Sequence, residues 1–149
     1  MNQSILALLF SASVACAVAG EGTAEQQLRN YLASKSERGS VFAQGTLDGV
    51  DYRKLLRGAV AKDSASLAGI FRYTANGKLM GEGAESNCAI LRQLLRLWGD
   101  AAYSRVLAAE SPKIRSAVIG ALDYAWSYPG WRSNEFPVTY RLAKHIKRQ

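Results

Sequence analysis

Residues 51–60 read DYRKLLRGAV, and this stretch decides the class of fold. Its apolar side chains recur at the spacing i, i+3, i+4, i+7 and i+8, which places them on one face of an α-helix. They are Tyr52, Leu55, Leu56, Ala59 and Val60. Asp51 stands directly before them and is a good N-cap residue, while Arg53, Lys54 and Arg57 point away from the apolar face. The stretch therefore predicts an amphipathic helix that packs one face against a core.

The same helical pattern continues on both sides of this stretch. Residues that favour a helix start precede further apolar, helically spaced segments: Thr23, Asp63 or Ser64, Asp100, and Ser111 followed by Pro112. Another helix, expected to be the most buried, runs from about Ser86 to Trp98, and a last one begins near Pro137. Alternating strand patterns are scarce. The sequence predicts an all-α protein of about six to seven helices.

Two stretches break the helical pattern. Residues 35–49 are poorly periodic and predict a connector with a helical turn around Val41 and Phe42. Residues 75–84 contain Gly77, Gly81 and Gly83, and are expected to be the least regular part of the chain.

The apolar positions repeat when the chain is shifted by 51 residues without gaps. The shift aligns Tyr52 with Tyr103, Leu55 with Val106, Leu56 with Leu107, Leu67 with Val118, Ile70 with Ala121, Phe71 with Leu122 and Tyr73 with Tyr124. Two three-helix units, roughly 51–100 and 102–149, would explain this, each covering the apolar face of the other. The alternative is that two amphipathic helices align at some offset by chance.

Residues 111–122, SPKIRSAVIGAL, resemble the second helix of a HEAT repeat, in which Pro, Val-Arg and Ala-Leu recur at this spacing. The resemblance implies a short right-handed array of antiparallel helices, of the HEAT or armadillo kind. It also implies a tendency to bind other macromolecules, and it carries no catalytic residue.

The first nineteen residues predict where the protein works. Residues 5–19 form an uncharged apolar run that ends in Ala17-Val18-Ala19, the pattern of a secretory signal peptide cleaved after Ala19. No Lys or Arg precedes the run, and an N-terminal anchor or a wrongly assigned start are the alternatives. Cys16 lies in a segment that resembles a bacterial lipoprotein box, with Ser13 where the box has Leu. We expect a periplasmic or secreted protein, with a signal peptide at 1–19, an N-terminal helix and connector at 20–50, and a helical-repeat domain at 51–149.

Composition limits the chemistry. The 19 basic and 12 acidic side chains give a net charge of +7, which favours an anionic envelope component or an acidic protein as partner. Export argues against nucleic acid. Cys88 is the one cysteine of the exported part, so no intramolecular disulfide is expected, and the only histidine, His145, lacks companions for a metal site. Glu82, Glu85, Glu110 and Asp123 do not define an acid/base pair, so neither a cofactor nor catalysis is predicted.

Two groups of residues are candidates for binding. Residues 124–140 hold six aromatic side chains around a Pro-Gly turn, and the predicted contact residues there are Tyr128, Trp131, Arg132 and Phe136. The alternative is that these aromatic residues seal the last helix against the others. The second group is a possible anion-binding surface, which consists of Arg53, Lys54, Arg57, Arg141, Lys144, Lys147 and Arg148.

These features predict a helical binding module of a bacterial envelope that engages a protein partner without performing chemistry. Two alternatives remain open: a periplasmic immunity or inhibitor protein directed against a hydrolase, and a binder of anionic lipid or glycan.

Overall fold

The computed structural model describes residues 22–35, 37–126 and 134–144, and within them the chain forms eight α-helices and no β-strand. In chain order these are α1 (Ala24–Ala33), α2 (Val41–Leu47), α3 (Tyr52–Val60), α4 (Ser64–Asn76), α5 (Gly81–Trp98), α6 (Asp100–Ala108), α7 (Pro112–Ala125) and α8 (Pro137–Lys144). The predicted all-α class is confirmed. The predicted signal peptide, residues 1–19, lies outside the described residues.

Side-chain caps begin the helices where the sequence predicts them. Thr23, Asp51, Asp63 and Ser111 each accept a hydrogen bond from the backbone N–H three residues later, at 3.2, 2.8, 3.0 and 3.4 Å. Pro112 occupies the first position of α7, where its missing N–H costs no helical hydrogen bond.

The sequence predicts a connector at 35–49 with a single helical turn. The structure has a two-turn helix there, α2. Ser40 caps it by accepting from the N–H of Ala43 at 3.3 Å. Val41 and Phe42 are buried in the core. A seven-residue segment has little helical stability alone, so the packing of these two side chains in the core stabilises this helix.

Helix α5 begins at Gly81, five residues earlier than predicted, so the irregular backbone expected over 75–84 is confined to residues 77–80 and to Gly81, whose φ is 49°. The Gln44 side chain holds the start of α5 by donating to the Met80 carbonyl at 2.9 Å and accepting from the Met80 N–H at 2.9 Å. A Cβ atom on Gly83 would lie 2.5 Å from that amide group. Glycine at position 83 therefore allows α2 and α5 to approach closely.

One hydrophobic core runs through the helices, with α5 at its centre and in contact with α1, α2, α6 and α7. Its fully buried side chains include Leu28, Tyr52, Leu56, Leu67, Ile70, Phe71, Ile90, Leu91, Leu94, Leu95, Tyr103, Leu107, Val118 and Leu122. Each such apolar side chain contributes roughly 1.5–3 kcal/mol by leaving water. The sequence predicts helix α5 to be the most buried, and it holds seven buried residues, more than any other helix of the described chain.

Positions that the 51-residue shift aligns are not always buried to the same extent. Leu56 and Leu107 are both fully buried, but Tyr73 is 5% exposed and its counterpart Tyr124 is 66% exposed. Helix α3 packs most extensively on α4, whereas α6 packs on α8, α5 and α4. The internal repeat and its resemblance to HEAT arrays remain predictions.

Helices α3 and α4 are brought close together by a glycine on each. A Cβ on Gly58 of α3 would lie 2.7 Å from the Cβ of Ser66, and a Cβ on Gly69 of α4 would lie 2.7 Å from Leu55 Cδ2. No side chain larger than hydrogen fits at either crossing point without movement.

Gly58→Ala is expected to destabilise the protein by about 1–2 kcal/mol, because overpacking costs more than the gain in helix propensity. Gly120→Ala is the matched control, since Gly120 is exposed in α7 and a Cβ there would meet nothing within 4 Å. That variant should be stabilised by up to about 1 kcal/mol. Urea unfolding followed by circular dichroism measures both, and equal stabilisation of the two variants would contradict the close approach of α3 and α4.

Arg53 of α3 caps the C-terminus of α1. Its guanidinium group donates to the carbonyl of Leu32 and, at 3.0 Å, to that of Ser34, and it lies 4.0 Å from the centre of the Phe42 ring. A cation is favoured at a helix C-terminus by the helix dipole and over an aromatic ring by the ring quadrupole.

Two more cations serve helix ends in the same way. Lys62, in the turn after α3, donates to the carbonyl of Leu97 at the end of α5 and lies 5.4 Å from the Trp98 ring. Arg92 of α5 donates at 3.2 Å to the carbonyl of Ala125, the last residue of α7. Each of these helices therefore receives its C-terminal cap from another part of the fold.

Helix α8 is fixed to α6 by one carboxylate. Asp100, at the start of α6, accepts hydrogen bonds from the backbone N–H groups of Val138 and Thr139 at 2.6 and 2.7 Å. Asp100 thus caps the first turn of α8 from a distant point in the sequence.

Candidate functional site

Residues 127–133, at the centre of the aromatic segment predicted at 124–140, lie outside the described residues. They include Tyr128, Trp131 and Arg132. Phe136 is only 9% exposed, and its ring centre lies 5.6 Å from that of Trp126. Phe136 therefore belongs to the packing of α8, as the alternative interpretation held, and its placement on a contact surface needs correction.

The predicted anion-binding surface is divided. Lys54, Arg57 and Arg141 are exposed, as a surface of this kind requires. Arg53 does not belong to the anion-binding surface, because this residue is half-buried and its guanidinium group donates hydrogen bonds to carbonyls at the end of α1. Lys144 is the last residue of α8, and the structure describes its backbone only. Lys147 and Arg148 lie outside the described residues.

A groove of about 620 Å³ lies between α4 and the segment that joins α2 to α3, and we call it the α2–α4 groove. Its apolar lining comes from Leu47, Val50, Leu55 and Gly69. Leu47 is 87% exposed, the largest exposed fraction among the bulky apolar side chains of the described chain. The sequence does not reveal this site, because Leu47 lies in the poorly periodic stretch 35–49, which predicts a connector.

Asp48 holds the wall of this groove together. Its carboxylate accepts from the Lys78 backbone N–H at 3.0 Å and from the Tyr73 hydroxyl at 2.9 Å. These two hydrogen bonds, the first above all, lower the pKa of Asp48 below its ordinary value of 3.8. Burial, together with the hydrogen bond to this carboxylate, raises the pKa of Tyr73. At neutral pH the pair is therefore a carboxylate and a neutral phenol.

Asp48→Asn is expected to lower stability at neutral pH and to lose that effect in acid. Because the folded-state pKa of Asp48 lies below the unfolded-state value near 3.8, its stabilising contribution is complete above that value and disappears as the pH falls through the folded-state pKa. Urea midpoints of wild type and variant from about pH 7 to about pH 2 measure this difference. A difference in urea midpoint that stays constant from neutral to acid pH would contradict the lowered pKa of Asp48 in the folded state.

Charged side chains line the rim of the groove. Lys78 is exposed at one end. Arg72 forms a double hydrogen bond with Glu110, at 2.8 and 3.2 Å, and Lys113 donates to Asn76 at 2.8 Å. Lys78 and the Arg72–Glu110 ion pair thus border the apolar centre of the groove.

A second concavity, the α1–α5 cleft, has a volume of about 540 Å³ and lies between α1, the start of α2 and the start of α5. Hydrogen-bonding side chains dominate it: the lining consists of Gln27, Asn30, Tyr31, Ser34, Lys35, Glu37, Ser40, Val41, Phe42, Glu82 and Ser86. The sequence marks Glu82 as an isolated carboxylate and Val41 and Phe42 as part of a helical turn, but it does not bring them together, because the lining comes from three separate segments.

Cys88 does not have the surroundings of a reactive thiol. It lies well inside α5 instead of at a helix start, since α5 begins at Gly81. Burial raises the pKa of its thiol, which disfavours the nucleophilic thiolate. Across the described segments, no three His, Cys, Asp or Glu residues come together as metal ligands could.

Among the helices of the described chain, none is both long enough and apolar enough to cross a membrane. Comparison with protein-family models, with curated proteins and with solved structures yields no significant match to this chain. The case for a function therefore depends on the geometry of the groove and the cleft.

Proposed function

We propose that this chain is an exported binding protein that recognises another protein through the α2–α4 groove. The observation that carries the proposal is the exposure of Leu47: its side chain is 87% exposed in a groove that Val50 and Leu55 also line. Exposed apolar side chains that are grouped around a concavity and rimmed by polar groups are typical of protein interaction sites.

The groove is held in shape before a partner arrives. The carboxylate of Asp48 ties the end of α2 to the loop after α4 through Lys78, and to α4 itself through Tyr73. A preformed site loses less conformational entropy on binding than one that must first become ordered, which favours affinity.

Charge favours a partner segment with an aliphatic side chain next to an acidic residue. The aliphatic side chain would occupy the apolar centre, and the acidic residue would face Lys78 on the rim, because Arg72 is already paired with Glu110. The net charge of +7 adds long-range attraction for such a partner, which raises the association rate more than the final affinity.

The predicted signal peptide supports a role in the bacterial envelope or outside the cell. An inhibitor or immunity protein would also bind a protein, and its partner would be a hydrolase. The identity of the partner therefore distinguishes an inhibitor from a scaffold. The anion-binding alternative predicts lipids or acidic glycans instead of one protein.

We expect Leu47→Asp to abolish capture of a stoichiometric protein partner from envelope extract, because it places a carboxylate in the apolar centre of the groove. Met80→Asp is the matched control, since Met80 is 74% exposed and does not line the groove. It should retain the partner. The measurement is affinity capture read by mass spectrometry, and circular dichroism confirms that both variants keep their helices.

A photo-crosslinking residue at position 76, on the rim of the groove, then locates the bound segment. We expect an aliphatic residue next to Asp or Glu. Retention of the partner by Leu47→Asp contradicts the proposal. Loss of the partner only in Trp131→Ala combined with Arg132→Ala would move the interface to the aromatic segment. A diffuse set of lipids or glycans released by salt would favour the anion-binding alternative.

A further inference from the structure

A second binding site is formed by the α1–α5 cleft, and its lining differs in chemistry from that of the α2–α4 groove. Neutral hydrogen-bonding side chains outnumber the charged ones, and they come from α1, α5 and the segment between α1 and α2. We propose that this cleft binds a neutral, hydroxyl-rich ligand, namely a saccharide. This inference does not depend on the proposed protein-binding function.

Two side chains that lie outside the lining hold the cleft in shape. Gln44 donates to the Gly39 carbonyl at 2.7 Å and to the Met80 carbonyl at 2.9 Å, so it ties the loop before α2 to the start of α5. The Arg53 contacts with the end of α1 fix the opposite wall. Neither of these two anchoring residues lines the cleft.

The lining presents donors and acceptors together, as a ligand with several hydroxyl groups requires. Asn30 offers an amide, Tyr31 and Ser86 offer hydroxyl groups, and Glu82 offers a carboxylate that can accept from two neighbouring hydroxyls. The half-buried ring of Tyr31 provides apolar surface for the C–H face of a sugar ring.

Charge argues against an anionic ligand in this cleft, although the whole chain is basic. Glu37 and Glu82 oppose the single cation Lys35 among the lining residues. Anions that are attracted by the net charge of +7 would therefore meet a locally acidic cleft. An amine would be attracted by the carboxylates, but it would leave most of the neutral hydrogen-bonding groups unused.

The test is a titration of the ¹⁵N-labelled chain with three neutral oligosaccharides, chitotetraose, maltotetraose and mannotetraose, and with spermidine as a cationic probe. We expect at least one oligosaccharide, at millimolar concentration, to shift amide signals in residues 27–42 and 81–86. Glu82→Gln should weaken that binding by about tenfold or more, because a hydrogen bond to a charged acceptor becomes a neutral one and one acceptor oxygen is replaced by a donor. Glu82 is exposed, so this isosteric change should leave the helices intact.

Lys113→Ala is the matched control, because Lys113 lies on α7 outside the cleft lining and should leave the titration unchanged. The proposal is overturned if none of the three oligosaccharides shifts these signals. It is equally overturned if spermidine alone shifts them, or if Glu82→Gln binds the saccharide as tightly as the wild type. None of these outcomes bears on Leu47, so failure here is distinguishable from failure of the proposed protein interface.

Discussion

Tyr52→Ala is expected to lower the free energy of unfolding by about 3–5 kcal/mol, which is the usual cost of removing a large aromatic side chain from a core. Tyr52 is 1% exposed, and its ring makes edge contacts with Tyr73 and Phe42 at centroid distances of 5.5 and 5.9 Å. Its hydroxyl donates to Asn87 Oδ1 at 2.7 Å inside the core. Both the ring and the hydrogen bond are lost in the variant.

Tyr52→Phe separates these two contributions, because it keeps the ring and removes only the hydroxyl. We expect it to cost about 1–2 kcal/mol, since Asn87 keeps its contact with Thr74, where Nδ2 donates to Oγ1 at 3.1 Å. Urea unfolding of both variants measures the difference. If Tyr52→Phe were as damaging as Tyr52→Ala, the stabilisation would come from the buried polar contact and not from aromatic packing.

Asp100→Ala is expected to release α8 from the rest of the protein. The change removes two short hydrogen bonds to a carboxylate, and each is worth about 1.5 kcal/mol or more, so α8 should lose about 3 kcal/mol of local stability. Amide hydrogen exchange in residues 138–142 should then accelerate by roughly a hundredfold. The helices α3, α4 and α5 should exchange as in the wild type.

Asp100→Asn is the control for charge, because an amide retains one acceptor oxygen in the same place. It should give an intermediate exchange rate. If exchange in α8 is unchanged by Asp100→Ala, the helix is held by the burial of Thr139 and Phe136 instead of by its cap.

The sequence predicts best what is determined locally. The starts of α1, α3, α4 and α7 depend on a capping residue and on apolar spacing within a dozen residues of the chain. It predicts poorly what distant contacts determine. Helix α2 forms because Val41 and Phe42 enter the core, and the early start of α5 depends on Gln44, which lies 36 residues before its partner Met80.

The candidate sites follow the same rule. Arg53 has the spacing of a surface cation, but its guanidinium group reaches the end of α1, about twenty residues away in sequence. The α2–α4 groove requires Asp48 to meet Lys78, a contact that no local pattern encodes. By contrast, the exposure of Lys54 and Arg57 follows directly from their positions opposite the apolar face of α3.

The cations at the helix ends have a consequence for kinetics. Arg53 and Lys62 bind the last carbonyls of α1 and α5, and Arg92 binds that of α7, so these three caps form only when the helices that they connect have docked. Interactions that form after the folding transition state act mainly on the unfolding rate. These three side chains should therefore prolong the lifetime of the folded state while leaving the speed of folding almost unchanged.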